Sequence, residues 1–327
     1  MAKRKKRSRS RIGLFVVLLI FAAIALPLWF WWGPGPLDKA TPVQIAAGST
    51  VGEAADTLEK AGAIRSARWF RRFAARLGST DPIRVGEYEV PARASAAAIL
   101  DLLQHGKPIQ RLVTIPEGTP SILVRDRLMK EPLLTGPIAV PAEGAVLPDS
   151  YSFERGEARA AVLKRMTKAM DTALAAAWKA RKPTSVVKTP AEAVILASIV
   201  EKETGVPAER RMVAGVYTNR LKAGMPLQAD PTVIYPITQG RPLGRRIRQS
   251  ELRADNGYNT YAKAGLPIGP IANPGRASIA AVLDPAPTKA LYFVADGKGG
   301  HVFADTLAQH NANVAKWYAI RRARGEM

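Results

Sequence analysis

Glu203 is the side chain whose position in this 327-residue chain best suits acid–base chemistry. It belongs to the stretch AEAVILASIVEKETG, which follows Pro190 and is typical of a helix that begins with proline. Four residues recur there at the i, i+3, i+4 and i+7 positions of one helical face: Leu196, Ile199, Val200 and Glu203. A carboxyl on such an apolar face loses hydration, which raises its pKa toward the value that a general acid needs at neutral pH.

A purely structural role for Glu203 is the alternative. The carboxyl could be the ion-pair partner of an arginine such as Arg210 or Arg220, and the spacing alone leaves both interpretations open. Glu201 lies about 200° around the same helix, so it faces different neighbours.

Two loop segments after this helix supply polar and aromatic side chains. Residues 226–237 contain Gln228, Asp230, Thr232 and Tyr235 close together, and residues 257–275 include six Gly and Pro within 265–275, a density that is typical of shaped loops rather than of a core. Tyrosine rings and asparagine amides suit a carbohydrate, although rigid loops without a ligand are the alternative. The candidate substrate-binding or supporting residues are Glu201, Gln228, Asp230, Thr232, Tyr235, Asn259, Tyr261 and Asn273.

The composition excludes several other chemistries. The chain has no cysteine, which rules out disulfides, cysteine nucleophiles, iron–sulfur clusters and cysteine-ligated zinc. Its three histidines, His105, His301 and His310, are far apart and form no metal-binding motif such as HExxH. We therefore predict no metal and no cofactor, and we expect His301 and His310 to have hydrogen-bonding or fold roles.

The N-terminus predicts a membrane anchor with a defined orientation. Residues 1–11 hold seven basic residues and no acid, and residues 12–32 form an uncharged apolar stretch. At about 1.5 Å per residue this stretch spans about 30 Å, the thickness of a bilayer core, and three tryptophans near its end resemble an aromatic belt: Trp29, Trp31 and Trp32. The positive-inside rule places residues 1–11 in the cytoplasm and the rest outside. A cleaved signal peptide is the alternative, but its apolar run is usually shorter.

The charge of the remaining chain narrows the choice of partner. The formal net charge is +21, and without the seven basic residues of the tail 41 Lys and Arg still stand against 27 Asp and Glu. Such an excess suits an anionic polymer or an acidic lipid surface. Nucleic acid is disfavoured, because the predicted topology keeps nearly all of the chain away from cytoplasmic DNA.

The pattern of elements predicts an α+β fold. After a Gly/Pro linker at 33–40, residues 41–106 read as strand, helix, helix, strand and helix, with a capping box at Thr50 and Glu53. Residues 107–155 read as a connector with a second strand–helix unit, because 113–118 weakly repeats 43–48. Residues 156–327 read as a larger mixed domain with helices at 157–180 and from Pro190 to a cap at Gly205.

The module at 41–106 resembles the LysM-like fold, a small binding module for peptidoglycan sugars. The resemblance implies a glycan contact, for which Trp69 and Phe73 are the aromatic candidates. Ordinary helix core is the alternative for both rings.

Four motifs together resemble the YceG (MltG) family of endolytic murein transglycosylases. They are ASIVEKET at 197–204, LQADPTVIY at 227–235, YNTY at 258–261 with GLP at 265–267, and LYFVADGKGGH at 291–301. Two positions depart from the pattern expected for the family, since Pro236 stands where a glycine and Ile268 where a second proline is expected.

This resemblance implies an enzyme of the bacterial inner membrane, with Glu203 as its catalytic residue and Glu201 as a supporting one. It implies cleavage of the MurNAc–GlcNAc bond inside nascent peptidoglycan strands, which leaves 1,6-anhydro-MurNAc ends and terminates strand elongation. Peptidoglycan synthases are the implied protein partners. A non-catalytic cell-wall-binding scaffold of the elongation or division machinery is the alternative. Asp230 would be the second carboxylate of a hydrolytic enzyme, and we favour a structural or substrate-orienting role for it.

Overall fold

The computed structural model of the protein describes residues 4–46 and 48–326. It divides into two compact units, the first ending at Arg111 and the second beginning at Leu112, and each unit has a hydrophobic core of its own. Both units combine helices with short two-stranded sheets, which confirms the predicted α+β class.

The first unit is built from a long helix and a small α/β module. Its elements in chain order are α1 Arg4–Trp32, β1 Thr41–Ile45, α2 Val51–Lys60, α3 Ala67–Leu77, β2 Gly86–Val90 and α4 Ala96–His105. Strands β1 and β2 pair antiparallel, with Val43 opposite Tyr88. The strand predicted at 43–47 thus lies slightly earlier in the chain, and position 47 is outside the described residues.

Side-chain caps explain where the helices of this unit begin. Thr50 accepts a hydrogen bond from the Glu53 N–H while the Glu53 carboxylate accepts one from the Thr50 N–H, so the predicted capping box is present. Ser66 and Ser95 cap α3 and α4 in the same way. Each cap satisfies a backbone N–H that would otherwise lack a partner in the first turn.

The end of α1 packs into the core of the first unit. Residues Leu14–Trp32 form the one stretch, among the residues described, that is long and apolar enough to cross a membrane, with a mean hydropathy of 2.6. Trp29 and Trp32 are about half exposed, as an aromatic belt requires, but Trp31 is only 2% exposed and its ring lies 5.8 Å from that of Phe70. The belt predicted for all three tryptophans is therefore wrong for Trp31, because α3 covers it.

The second unit is larger and mainly helical. Its elements are β3 Arg111–Thr114, α5 Ser121–Lys130, β4 Ser150–Phe153, α6 Arg159–Lys179, α7 Pro190–Glu203, α8 Arg210–Lys222, α9 Asp230–Thr238, α10 Gln249–Arg253, α11 Arg276–Leu283, β5 Tyr292–Ala295, β6 His301–Ala304 and α12 Leu307–Ala323. Strand β3 pairs with β4, and β5 pairs antiparallel with β6. The weak sequence repeat corresponds to two strand–helix pairs, β1 with α2 and β3 with α5.

Helix α7 forms the centre of this unit. It begins with Pro190 in its first turn, as predicted, with Thr189 as its cap, and it packs against α8 and α11. The expected glycine cap at Gly205 is wrong, because Thr204 caps the helix in an extended conformation. The Thr204 hydroxyl accepts a hydrogen bond from the Val206 N–H and donates one to the Glu209 carboxylate at 3.1 Å, and these bonds turn the chain away from the helix axis.

Replacing a leucine of α7 should destabilise the protein far more than replacing an exposed one. Leu196 has no exposed surface, so we expect Leu196→Ala to lower the free energy of unfolding by about 2–5 kcal/mol. Leu307, 55% exposed in the same unit, is the matched control, and Leu307→Ala should cost under about 1 kcal/mol. Urea unfolding of the full chain in detergent measures both, and equal losses would contradict the central packing of α7.

Candidate active site

Glu203 is the last residue of α7, and its carboxyl is only partly exposed. The Tyr217 hydroxyl, which comes from the buried face of α8, donates a hydrogen bond to this carboxyl. The core therefore holds the carboxyl, while part of the Glu203 residue stays exposed. This agrees with the apolar stripe that the spacing of Leu196, Ile199 and Val200 predicted, since all three are fully buried.

Burial raises the pKa of Glu203 from 4.5 to about 7. The hydrogen bond from Tyr217 opposes this rise, the negative charge of Asp230 adds to it, and the positive charge of Arg220 opposes it. The carboxyl is thus close to half protonated at neutral pH, which is the state that allows one group to donate and later accept a proton.

Tyr217 remains a hydrogen-bond donor at every physiological pH. Burial raises the pKa of its hydroxyl well above 10, and the nearby charge of Glu203 raises it further. The phenol therefore keeps its proton and fixes the direction of the Glu203 carboxyl without competing for the reacting proton.

Asp230 stands beside Glu203 at the first residue of α9. Its Oδ1 atom accepts a hydrogen bond of 2.6 Å from the Tyr261 hydroxyl, and partial burial together with this bond raises the pKa of Tyr261. The structure thus brings together Glu203, Asp230 and Tyr261 from three motifs that are distant in the sequence. Gln228, which is exposed next to Asp230, completes the polar group.

Arg220 is buried and holds the loop that carries Asp230. Its guanidinium donates to the Leu227 and Leu291 carbonyls, at 2.7 Å each, and its centre lies 5.4 Å from the centroid of the Tyr292 ring. These N–H groups are directed at backbone carbonyls, so the charge of Arg220 acts on Glu203 through space.

Glu201, rather than Glu203, forms the ion pair with an arginine that was the structural alternative for Glu203. Its side chain is 4% exposed, and its carboxylate accepts bonds from Arg210 at 3.3 Å and from the Gly275 N–H at 2.8 Å. Arg210 also pairs with Glu117 at 3.0 Å. Glu201 therefore joins the end of α7 to the loop that precedes α11.

A pair of buried threonines joins the two segments that were predicted to be loops. The loop prediction is wrong for residues 230–237, because helix α9 covers them. The Thr232 and Thr260 hydroxyls lie 2.8 Å apart, and the Thr260 hydroxyl also accepts a bond from the Ala229 N–H. Gln228 donates its N–H to the Thr260 carbonyl and adopts a φ of 55°, a left-handed conformation that is uncommon for a residue other than glycine. These bonds set the backbone on which Asp230 and Tyr261 stand.

The two candidate asparagines are buried, and their amides are used by the protein. Asn259 donates to the Glu251, Leu252 and Ala254 carbonyls. Asn273, with no exposed surface, donates to the Thr119 carbonyl and accepts from the Val146 N–H. Both shape the loops from inside, and neither presents its amide to solvent.

Tyr235 contacts the carboxyl of Glu143, a residue that the sequence did not mark as a candidate. Its hydroxyl donates to Glu143, and its ring lies 5.1 Å from that of Tyr258. Burial raises the pKa of Glu143, although hydrogen bonds from Ser121 and Tyr235 oppose the rise. Glu143 lies in an irregular Pro/Gly turn, where no periodic pattern marks it, whereas Tyr217 and Arg220 stand at i and i+3 of α8, a spacing that places both on one helical face.

Two adjoining cavities open beside this site. One of about 420 Å³ is lined by Lys202, Pro231 and Tyr235, and one of about 710 Å³ is lined by Arg127 and Lys130. Both are also lined by Thr119, Leu123 and Arg241, so they form one continuous groove. The groove reaches Lys202 and Pro231, the immediate chain neighbours of Glu203 and Asp230.

His301 and His310 lie in the β5–β6 and α12 region. The His301 Nδ1 atom is 2.7 Å from the carboxylate of Glu209, which also accepts from the His301 N–H and from Thr204. The His310 ring stacks on Tyr292 at 5.2 Å. Among the residues that the structure describes, no group of three or more His, Asp or Glu side chains is arranged to hold a metal ion.

Comparison with known proteins gives consistent similarities. The profile of the YceG-like family matches residues 43–316. The chain is 35% identical to an endolytic murein transglycosylase of Bacillus subtilis, over 55% of this chain and 49% of that protein. It is 29% identical to an endolytic murein transglycosylase of Streptococcus pneumoniae, over 85% of this chain and 58% of that protein. The chain thus spans about half the length of these curated relatives.

The fold has a counterpart among solved structures. The crystal structure of a yceG-like protein from Listeria monocytogenes is similar with a TM-score of 0.53 and 28% identity. The similarity covers 84% of this chain and 98% of that one.

Replacing Glu203 by glutamine should stabilise the protein more at pH 8 than at pH 4. The unfolded chain loses the Glu203 proton near pH 4.5 and the folded chain near pH 7, so the wild-type free energy of unfolding falls as the pH rises between these values. Glutamine has no proton to lose, so the stability difference between Glu203→Gln and wild type should grow by about 3 kcal/mol from pH 4 to pH 8.

Urea unfolding of both proteins at the two pH values measures this difference. Groups that titrate alike in the two proteins cancel when they are compared. A stability difference that is equal at pH 4 and pH 8 would show that the Glu203 carboxyl is not desolvated.

Proposed function

The chain belongs to the YceG-like family, and from this premise we propose that it is an endolytic murein transglycosylase. Its substrate would be the glycan strand of peptidoglycan, cut at the MurNAc–GlcNAc β-1,4 bond to leave 1,6-anhydro-MurNAc ends. The observation that carries the proposal is the Glu203 carboxyl, whose pKa burial raises to about 7 in a residue that is only half-buried. The relatives from Bacillus subtilis and Streptococcus pneumoniae are endolytic murein transglycosylases, which supports the same reaction.

Glu203 would act first as an acid and then as a base. Its protonated carboxyl gives a proton to the glycosidic oxygen, and the bond from that oxygen to C1 of MurNAc breaks with oxocarbenium character at C1. The carboxylate then removes the proton of the MurNAc 6-hydroxyl, whose oxygen closes on C1. The 1,6-anhydro ring forms, no water is consumed, and Glu203 is protonated again.

The residues around Glu203 would divide into two groups. Tyr217 would keep the Glu203 carboxyl oriented, and Asp230 and Tyr261 would orient the sugar. Gln228 and Tyr235 would be further substrate contacts. The buried residues would support the loops that carry them: Glu201, Thr232, Asn259 and Asn273. The groove, which is lined by Arg127 and Lys130 and also by Asp126 paired with Arg241, would accommodate the strand, and Arg127 and Lys130 would meet the carboxylates of its peptide stems.

The remaining chain would place this chemistry at the membrane. We propose residues 1–11 as a cytoplasmic tail, 12–32 as a single span of the bacterial inner membrane and 33–40 as a linker. Residues 41–106 would be the LysM-like module, 107–155 a connector with a second strand–helix unit, and 156–327 the catalytic domain outside the cytoplasm. Termination of nascent strands would follow from this position, with peptidoglycan synthases as partners.

A non-catalytic scaffold for the cell wall is the second candidate function. Such a scaffold would need the groove, but it would gain nothing from the raised pKa of the Glu203 carboxyl. An uncharged or fully hydrated residue at position 203 would be more stable. The carboxyl therefore favours the enzyme.

Glu203→Gln should abolish most of the activity on purified glycan strands. Glutamine keeps the shape and hydrogen-bonding capacity of the side chain but has no proton to donate, and acid–base catalysis is worth about 10²–10⁴-fold. Mass spectrometry of the wild-type products should find 1,6-anhydro ends, whereas a hydrolase would leave ends heavier by one water, about 18 Da.

Glu201→Gln is the matched control for this experiment, because it removes the other carboxyl of the same helix and should cost much less activity. Near-normal turnover by a folded Glu203→Gln protein would contradict the mechanism. Hydrolytic ends alone in the wild-type digest would contradict the reaction class.

The proposed topology predicts the behaviour of C-terminal fusions. Alkaline phosphatase folds and works only outside the cytoplasm, so a fusion of it to the C-terminus should be active in cells. A green fluorescent protein fusion exported through the general secretory route should stay dark. A bright, cytoplasmic fluorescent fusion would reverse the assigned orientation.

A further inference from the structure

We propose that helix α3 lies in the membrane interface, with Trp69, Phe73 and Leu77 inserted where the phospholipid headgroups meet the acyl chains. This inference rests on the membrane anchor of the proposed function and adds a second, peripheral contact with an anionic phospholipid surface. It concerns the first unit alone and is independent of the reaction at Glu203.

The surface of α3 is divided into stripes. At about 100° per residue, three buried residues form one face toward the core: Ala67, Phe70 and Ala74. An apolar stripe follows at i, i+4 and i+8: Trp69, Phe73 and Leu77. A basic stripe follows next: Arg68, Arg72 and Arg76. Trp69 is 44% and Leu77 48% exposed, whereas Phe73 is half-buried and packs against the core, so the two ends of the apolar stripe are not accounted for by the core.

The contacts of Trp69 and Phe73 with α1 set the depth of these two residues in a bilayer. The Phe30 ring lies 6.4 Å from that of Trp69 and 6.1 Å from that of Phe73. Phe30 belongs to the last turn of the apolar stretch Leu14–Trp32, which would lie at the boundary between acyl chains and headgroups. Side chains in ring contact with that turn share its depth, and tryptophan is favoured there.

The basic stripe complements the phosphates of such a surface. Arg68, Arg72 and Arg76 have no ion-pair partner within the part of the chain that the structure describes, whereas Arg71 of the same helix pairs with Asp56 at 3.0 Å. The Arg72 guanidinium lies 5.3 Å from the Trp69 ring centroid, so charge and apolar surface are adjacent. An apolar stripe flanked by arginines is the pattern of helices that lie in a membrane surface. A glycan-binding role for Trp69 would instead leave the stripe in water.

Spin labels can measure the depth of α3 directly, because the chain has no cysteine of its own. Full-length Leu77→Cys, Ala75→Cys and Leu19→Cys proteins would each be labelled with a nitroxide and reconstituted in vesicles containing phosphatidylglycerol. Ala75 is exposed on the same helix, about 200° from Leu77, and is the matched control. Collisions of the label with oxygen, which enters lipid, are compared with collisions with a nickel chelate, which stays in water.

We expect the label at position 77 to be shielded from the chelate and to lie about 5–10 Å below the headgroup surface. The label at position 75 should remain open to the chelate, and the label at position 19 should report the bilayer core. Equal chelate access at positions 77 and 75, with position 19 in lipid, would overturn the inference and leave the anchor intact. A label in water at position 19 would overturn the anchor and the inference together.

Charge reversal tests the phosphate contact separately. With the label at position 77, the substitutions Arg68→Glu, Arg72→Glu and Arg76→Glu together should move it several-fold toward chelate access. The matched control makes the same change in net charge on the exposed face of α6 and should leave the label in lipid: Lys164→Glu, Lys168→Glu and Lys179→Glu. Unchanged shielding in the α3 variant would refute the role of the basic stripe.

Discussion

The hydrogen bond from the Tyr217 hydroxyl to the Glu203 carboxyl joins α8 to α7 at the point where a titratable side chain, Glu203, lies against the hydrophobic core. Burial alone would push the Glu203 pKa higher and keep the carboxyl neutral. The Tyr217 bond and the charge of Arg220 counteract burial, while Asp230 adds to it. The pKa near 7 is the balance of these opposed effects, and each depends on where a neighbouring element is held.

That balance depends on several buried polar groups near the site that are held by hydrogen bonds. Arg220 is fixed by three carbonyls, Glu201 by an arginine and a backbone N–H, and Thr232 by a second threonine. An unsatisfied polar group in the same places would cost free energy, so the bonds make each position specific. The site is therefore rigid on its protein side, which is the condition for a preorganised acid.

The sequence predicted the features that obey a local rule. In the site, Glu203 follows the helical period of Leu196, Ile199 and Val200, and in the first unit the capping box of Thr50 and Glu53 follows from residue type and spacing. Partners distant in the sequence were beyond such rules. The pairing of Glu201 with Gly275, the burial of Asn259 and Asn273, and the role of Glu143 all depend on which loops meet in space. The four motifs identified the family, but a motif does not say which of its residues faces the solvent.

Trp31, in the first unit, is another residue whose burial depends on a contact distant in the sequence. Three tryptophans at the end of an apolar stretch look equivalent in sequence, yet only Trp31 turns toward α3 and joins the core, while Trp29 and Trp32 stay exposed. Once Trp31 is buried, the end of α1 has a fixed partner, and the aromatic rings of Phe30, Trp69 and Phe73 cluster around it. The contact of Trp31 with Phe70 thus determines that α3 is the surface of the first unit next to the apolar stretch. The arginines of α3 therefore lie beside the end of that stretch.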